Sequence, residues 1–161
     1  MKTSLAGAAV VALVLTGCSV KKAEPGAAAA PKAYVVGMGE IMGQNQMRHA
    51  KLWFAGTAQN WPLAQYEVDE LNEGFRDVKS FHPTFKKRPT APLVDEFVTQ
   101  PLGELDKAVK DKNAGEFTAA FDDLTNGCDG CHKELGFGFN VIQRPTSPEY
   151  TNQQFAPVKP G

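Results

Sequence analysis

The chain of 161 residues has few of the residues that build disulfide frameworks or metal clusters, with three cysteines and three histidines. Its formal net charge is −1, so it has no basic field to attract nucleic acid. It contains one Cys-x-x-Cys pair and no second one, which leaves a structural zinc site short of its usual four ligands. Apolar residues that alternate as in strands are also scarce. These absences argue against a disulfide-rich fold, a nucleic-acid-binding protein and a zinc domain.

The longest apolar run lies at the N-terminus, over residues 5–15, and Lys2 precedes it. The run is too short for a comfortable membrane span. It ends in Leu15-Thr16-Gly17-Cys18, which resembles a bacterial lipobox. We therefore expect residues 1–17 to be a lipoprotein signal peptide, with Cys18 lipidated as the first mature residue. The alternative is an ordinary secretory signal with an incidental cysteine, and either signal exports the chain.

The residues from Cys18 onward predict a flexible tether and the membrane to which the protein is sorted. Residues 18–34 have little to bury beyond small side chains, so they are expected to form a flexible, lipidated tether. Ser19 follows the lipid cysteine, which in enterobacteria-like sorting slightly favours the outer membrane. We expect a protein that is lipid-anchored on the periplasmic side of a bacterial membrane.

Four stretches of the remaining chain have apolar residues at helical spacing. They predict helices over about 37–58, 60–81, 92–112 and 114–135. Asn60 and Asn113 are expected N-caps, and Gly136 is expected to end the last helix. Pro101 is expected to kink or split the third helix, because proline lacks a backbone N–H. Four amphipathic helices with short loops predict an all-α fold, an antiparallel four-helix bundle over residues 35–136.

A cluster of residues that can bind a metal or cofactor lies near the end of the last predicted helix, at Cys128-Asp129-Gly130-Cys131-His132. C-x-x-C-H is the attachment signature of c-type haem, in which the cysteines bond the vinyl groups and the histidine is the proximal iron ligand. Positions i, i+3 and i+4 share one helix face, so Cys128, Cys131 and His132 can all reach one porphyrin. A thioredoxin-like pair needs its first cysteine at a helix start instead. The motif therefore predicts one covalently attached haem c.

A haem motif at the end of the last helix of such a bundle resembles the cytochrome c′ and cytochrome c-556 group. The likeness covers about residues 35–135, and its specific part is the segment 127–133, Gly-Cys-Asp-Gly-Cys-His-Lys. The blocks 48–56 and 137–145 also resemble a family of exported bacterial cytochrome-like proteins. The chain departs from the cytochrome c′ group by its long C-terminal tail.

Two proline-bounded segments without helical spacing complete the chain. Residues 83–92 predict a loop, and its basic triplet Lys86-Lys87-Arg88 either docks an acidic redox partner or is solvated. Residues 137–161 predict an extended tail that packs on the bundle. We expect four apolar side chains of this tail to cover the bundle or the haem edge: Phe137, Phe139, Val141 and Ile142.

The sixth iron ligand is expected from the first helix, because its first half lies level with the end of the last helix in an antiparallel bundle. Met42 and His49 lie there, seven residues apart on one face. The cytochrome c-556 resemblance implies a thioether, so Met42 is the predicted distal ligand and His49 the alternative. Each could instead be a packed core side chain. Three cations are interpreted as propionate partners or as plain surface charges: Arg48, Lys51 and Lys133.

The sequence thus predicts a monohaem c-type cytochrome that carries single electrons between redox partner proteins, with no catalytic residue. The alternative, which the cytochrome c′ resemblance implies, is a five-coordinate haem protein that binds nitric oxide or carbon monoxide. A peroxidase-like enzyme, hinted at by His49 beside Arg48, and a haem-free metal-binding or structural lipoprotein are further alternatives. Bundles of this kind often dimerise, so a homodimer is one expectation.

Overall fold

The computed structural model describes residues 33–158. The predicted signal peptide, Cys18 and most of the predicted tether lie outside the described residues. The described chain is mostly helical, with helices α1 (Met38–Thr57), α2 (Trp61–Phe81), α3 (Thr90–Val94), α4 (Gln100–Lys110) and α5 (Ala114–Glu134). A π-helical turn, Asp95–Thr99, joins α3 to α4 through helical backbone. The described part therefore has four helical segments, of which the third consists of α3, the π-turn and α4.

The boundaries of α2 and α5 agree with the predicted caps. The side-chain oxygen of Asn60 accepts a hydrogen bond from the N–H of Leu63 over 3.4 Å. The side-chain oxygen of Asn113 accepts from two N–H groups at the start of α5, over 3.1 and 3.2 Å. Gly136 follows α5 with a φ of 75°, a conformation that glycine adopts without steric cost.

Pro101 interrupts the third helical segment as expected, and the interruption takes the form of the π-turn. Proline has no N–H to offer the carbonyl of Phe97, four residues earlier. That carbonyl instead faces α5, where a Cβ on Gly127 would lie only 2.0 Å from the oxygen. A Cβ on Gly130 would lie 2.8 Å from the Phe97 ring. The π-turn therefore sits directly against the part of α5 that carries the cysteine motif.

The core is shared by all four helical segments. α1 packs mainly on α2, and α4 packs mainly on α5. The two pairs meet through contacts of α2 with α4 and of α1 with α5. The largest fully buried apolar side chains are Leu52, Val68, Leu71, Leu105, Val109, Phe117, Phe121 and Leu124. Among residues 33–158, no helix combines the length and the apolarity needed to cross a membrane.

A small hairpin lies in the segment that the sequence predicts as a loop. Its strands β1 (Thr84–Phe85) and β2 (Arg88–Pro89) are antiparallel. Lys86 and Lys87 form the two-residue turn, with φ angles of 46° and 65°. Two positive φ angles in such a turn are typical of type I′, which usually carries Asn-Gly. The hairpin was not predicted because Lys-Lys gives no such signal.

The C-terminal tail contacts α1 and α5 at several points up to Phe155 and contains no helix or strand over residues 137–158. Arg144 forms an ion pair with Asp122 of α5, with a hydrogen bond of 2.6 Å from its Nε. The ring of Phe155 packs on that of Phe54 in α1, with centroids 5.4 Å apart. Both contacts join distant parts of the sequence, so they depend on the folded arrangement.

The packing predicted for the start of the tail is only partly correct. Phe137 and Ile142 are half-buried and line a cavity. Phe139 and Val141 are 82% and 64% exposed, so the prediction was wrong for these two residues. The N–H of Asn140 donates to the carbonyl of Phe137 over 2.8 Å, which closes a turn and leaves Phe139 at its tip.

Candidate functional site

A cavity of about 330 Å³ lies among residues of α1, α2, α3, α5 and the tail. Cys128, Cys131 and His132 line it from α5, and Met42 and His49 line it from α1. Much of the remaining lining is apolar, including Met38, Leu71, Phe75, Val78, Leu93 and Leu124. The structure therefore brings to one cavity all five residues that the sequence predicts around a haem iron.

The α1 side of the cavity has open space next to its backbone. Gly39 and Gly43 both line the cavity, and a Cβ added to either would meet nothing within 4 Å. The two glycines are four residues apart and so share one helix face. This part of the wall leaves room for a ligand that approaches the helix closely.

The two motif cysteines are free thiols in a poorly solvated position. Burial raises the pKa of the Cys128 thiol to about 12, and the neighbouring Asp129 adds to the rise. Burial also raises the pKa of the Cys131 thiol, and Glu134 adds to that rise. Thioredoxin-like chemistry uses a thiolate with a lowered pKa. The environment of these thiols is the opposite of what that chemistry requires.

His132 has a partner in the tail. Its Nδ1–H donates to the main-chain carbonyl of Asn140 over 2.7 Å, which leaves Nε2 with a free lone pair. The tail is tied to the motif a second time, because the N–H of Ile142 donates to Oδ1 of Asp129 over 2.8 Å. Histidines that bind metals commonly donate their other ring N–H in this way. No sequence pattern indicated Asn140, whose contribution is a main-chain oxygen.

His49 is buried and hydrogen-bonded. The hydroxyl of Thr125 donates to the carbonyl of Phe121 over 2.7 Å, so it accepts from Nε2–H of His49, 2.9 Å away. The proton of His49 is therefore on Nε2, and the lone pair is on Nδ1. Burial lowers the pKa of His49 to about 4, although Asp129 opposes the shift. His49 is thus a neutral imidazole at pH 7.

Asn45 is a cavity residue that the sequence analysis did not single out. It is 5% exposed, and its Oδ1 accepts from a guanidinium N–H of Arg48 over 3.3 Å. A guanidinium group only donates, so this bond fixes which end of the amide is the oxygen. The amide nitrogen has no hydrogen-bond partner among the described residues. Asn45 lines the largely apolar cavity, so its side chain carries a buried donor without a partner at this site.

The three cations interpreted as propionate partners do not line the cavity. Arg48 forms an ion pair with Glu70 over 2.9 Å. The ammonium of Lys51 lies 4.9 Å from the centre of the Tyr150 ring. Lys133 is exposed near the start of the tail. Their interpretation as propionate partners stays a prediction.

No family model, curated protein or solved structure matches the chain. Within residues 33–158, there is no group of three or more His, Cys, Asp and Glu side chains that could hold a metal ion by themselves. The cavity and its cysteine motif are therefore the features that bear on function.

Proposed function

We propose that the chain is a lipid-anchored, periplasm-facing c-type cytochrome that carries single electrons between redox partner proteins. The observation that carries this proposal is the cavity lined by Cys128, Cys131 and His132 together with Met42 and His49. When bound there, haem c supplies a one-electron iron(III)/iron(II) couple.

The residues of the cavity fit a covalently attached haem. Cys128 and Cys131 are the residues that would hold it through thioether bonds, and His132 would hold the iron through Nε2. The bond from His132 to Asn140 supports this role, because it keeps the proton on Nδ1 and orients the ring. The volume of about 330 Å³ lies within the range of roughly 300–1,000 Å³ typical of ligand pockets.

Met42 is the proposed distal ligand, and His49 is the alternative. Both line the cavity, but Nε2 of His49 already donates to Thr125. Ligation through that nitrogen would break a buried hydrogen bond, at a cost of about 1 kcal/mol or more. The thioether of Met42 has no comparable bond to lose. This difference supports Met42 over Nε2 of His49, and the sulfur of Met42 also favours iron(II). His49 is the alternative through the lone pair on its Nδ1.

The proposal includes an antiparallel four-helix bundle with the tail packed on it. The connections from α1 to α2 and from α4 to α5 are short, and short connections favour antiparallel neighbours. The packing of α1 on α2 and of α4 on α5 supports this arrangement. In such a bundle the apolar lining keeps water from the cofactor, and neutral His49 adds no buried charge.

The proposed localisation rests on the sequence alone. Leu15-Thr16-Gly17-Cys18 supports a lipid anchor at Cys18, and Ser19 slightly favours the outer membrane. Export also agrees with the cysteine motif, because c-type haem is attached on the outer side of the cytoplasmic membrane. A homodimer remains part of the proposal only through the resemblance to bundles that dimerise.

Visible spectra of the matured protein, oxidised and reduced, test the proposed function. We expect a low-spin spectrum that becomes high-spin in Met42→Ala and stays low-spin in His49→Gln, whose amide can still donate to Thr125. Loss of the low-spin form only in His49→Gln would make His49 the ligand. A high-spin wild type that binds carbon monoxide when reduced would replace electron transfer by gas binding. Absence of covalent haem would overturn both.

A further inference from the structure

We propose that a basic and aromatic patch beside the cavity docks an acidic surface of the redox partner protein. The patch consists of Lys86, Lys87, Lys133, Phe137 and Phe139. This inference rests on the proposed function, because it concerns the partner that exchanges electrons with the same site.

Lys86, Phe137 and Phe139 are in contact, and Lys133 and Lys87 lie next to this group. The ammonium of Lys86 lies 3.6 Å from the centre of the Phe137 ring and donates to the carbonyl of Leu135 over 3.1 Å. The rings of Phe137 and Phe139 meet edge to face, with centroids 6.0 Å apart. A Cβ on Gly138 would lie 3.4 Å from Cγ of Lys133. Lys86, Phe137 and Phe139 therefore form one contiguous group, with Lys133 beside Gly138 and Lys87 next to Lys86 in the turn.

The patch adjoins the candidate site. Phe137 lines the cavity together with Cys131 and His132. Phe139 contacts the Phe137 ring edge to face and is 82% exposed. Exposed aromatic side chains are enriched at the centres of protein interfaces. A partner seated on Phe139 would be held close to the predicted haem.

The charge of the patch indicates an acidic partner. Lys87 and Lys133 form no ion pair with any described residue, and Lys86 is bound only to a carbonyl and a ring. Arg88 is different, because it is paired with Glu134 over 2.6 Å. Three positive charges thus stand without a carboxylate, although the whole chain has a net charge of −1. A surface of this kind attracts acidic partners and raises the rate of encounter.

The backbone of the turn holds both lysines in a conformation that glycine adopts more readily. Lys86 and Lys87 both have positive φ, which is unfavourable for residues with a Cβ. Asn-Gly would form the same type I′ turn with less strain. Lysine at each of these positions is therefore kept at some cost in local stability, as it is at Lys112, where φ is 55°.

The patch fits a protein partner better than an anionic membrane. Lipid-binding segments usually cluster about four to eight lysine and arginine residues, whereas only three unpaired cations stand here. The carboxylate of Glu134 lies beside them, paired with Arg88. Mixed charges at the edge of an apolar centre set the orientation of a protein partner.

Oxidation rates of the reduced, haem-loaded full chain test this inference. One electron passes from the protein to hexacyanoferrate(III), which becomes hexacyanoferrate(II). At low ionic strength we expect Lys87→Gly and Lys133→Gln each to slow this reaction about twofold, because the patch attracts the anion less. The cationic oxidant tris(phenanthroline)cobalt(III) should react faster with the same variants. Polyglutamate should slow the reaction of wild type with hexacyanoferrate(III), by covering the patch.

Lys112→Gly is the matched control. Lys112 is exposed, has a φ of 55°, and lies before α5, roughly 27 Å along that helix from His132. Both glycine variants should raise the midpoint of thermal unfolding, because glycine suits positive φ. Only Lys87→Gly should change the oxidation rates. A lower midpoint for Lys87→Gly would overturn the argument from strain.

Three results would overturn the docking site itself. Equal slowing by Lys112→Gly would assign the effect to net charge. Protection of wild type by phosphatidylserine vesicles and not by polyglutamate would assign the patch to membranes. Absence of polyglutamate binding in a calorimeter would contradict the patch without reference to haem. The visible spectrum of each variant reports separately whether the proposed function fails.

Discussion

His132 donates a hydrogen bond from Nδ1–H to the main-chain carbonyl of Asn140, over 2.7 Å. This bond joins the last helix to the tail that follows it. The N–H of Ile142 donates to Asp129 over 2.8 Å, so the tail is bound to the last helix on both sides of Val141. Asp129, which stands between the two motif cysteines, therefore helps to hold the carbonyl that orients the His132 ring.

Under the proposed function, Asp129→Ala should raise the reduction potential of the haem-loaded protein. Loss of the bond to Ile142 loosens the carbonyl of Asn140, and a weaker bond at Nδ1 makes the His132 ring a poorer donor to iron(III). The free energy of unfolding should fall by about 1 kcal/mol. Potentiometric titration and urea unfolding measure the two effects. Asp129→Asn keeps an acceptor oxygen without the charge, so its potential should lie closer to that of wild type; equal shifts in both variants would point to charge alone.

The buried His49 should make the protein less stable in mild acid. Its pKa is about 4 in the folded state, against an ordinary value of 6.5, so the unfolded chain takes up a proton first as the pH falls. The free energy of unfolding should therefore decline from pH 6.5 towards pH 4, by about 3 kcal/mol at most. His49→Gln should lack this decline in urea unfolding at stepped pH. His82→Gln, the control, should keep it, and a decline that survives in His49→Gln would contradict the assignment.

The close approach of the π-turn to α5 predicts a sharp difference between two glycines. Gly127→Ala should lower the free energy of unfolding by about 3 kcal/mol, because its Cβ would lie 2.0 Å from the carbonyl oxygen of Phe97. Gly103→Ala in α4 meets nothing within 4 Å and should raise it by about 0.5–1 kcal/mol. Denaturant titration of both variants makes the comparison. Similar changes in the free energy of unfolding for the two variants would show that α5 can move away from the π-turn.

Glu67 should weaken the fold at neutral pH. It is 2% exposed, and its Oε1 has no hydrogen-bond partner among residues 33–158. Burial raises its pKa above 4.5, so the folded state holds the proton more tightly and stability falls as the pH rises above 4.5. Glu67→Gln should be more stable than wild type by about 1 kcal/mol at pH 7 and lose that advantage below pH 4.5. Thermal unfolding at both pH values measures this, with the exposed Glu73→Gln expected to show no such crossover.

The helices could be predicted from the sequence because their signals are local. Asn60 and Asn113 cap helices that begin where the pattern indicates, and Gly136 follows the last one. The interruption at Pro101 was predicted as well, since a missing N–H is a property of one residue. Its form, a π-turn against Gly127, depends on a neighbouring helix.

The features that could not be predicted from the sequence mostly depend on contacts between distant residues. The pair of His49 and Thr125 joins residues 76 positions apart, and nothing in either sequence neighbourhood indicates it. The carbonyl of Asn140 carries no sequence signal, because every residue has a carbonyl. The hairpin was missed for another reason: Lys86 and Lys87 occupy positions in which Asn and Gly are expected.

Covalent attachment of haem tests the central claim most directly. The full chain should be expressed with the haem-attachment machinery, denatured in pyridine and alkali, and compared in its absorption spectrum and intact mass with Cys128→Ala/Cys131→Ala. The account predicts one haem per wild-type chain, retained after denaturation, and none held covalently by the double variant. A wild-type chain that matures without covalent haem would contradict it.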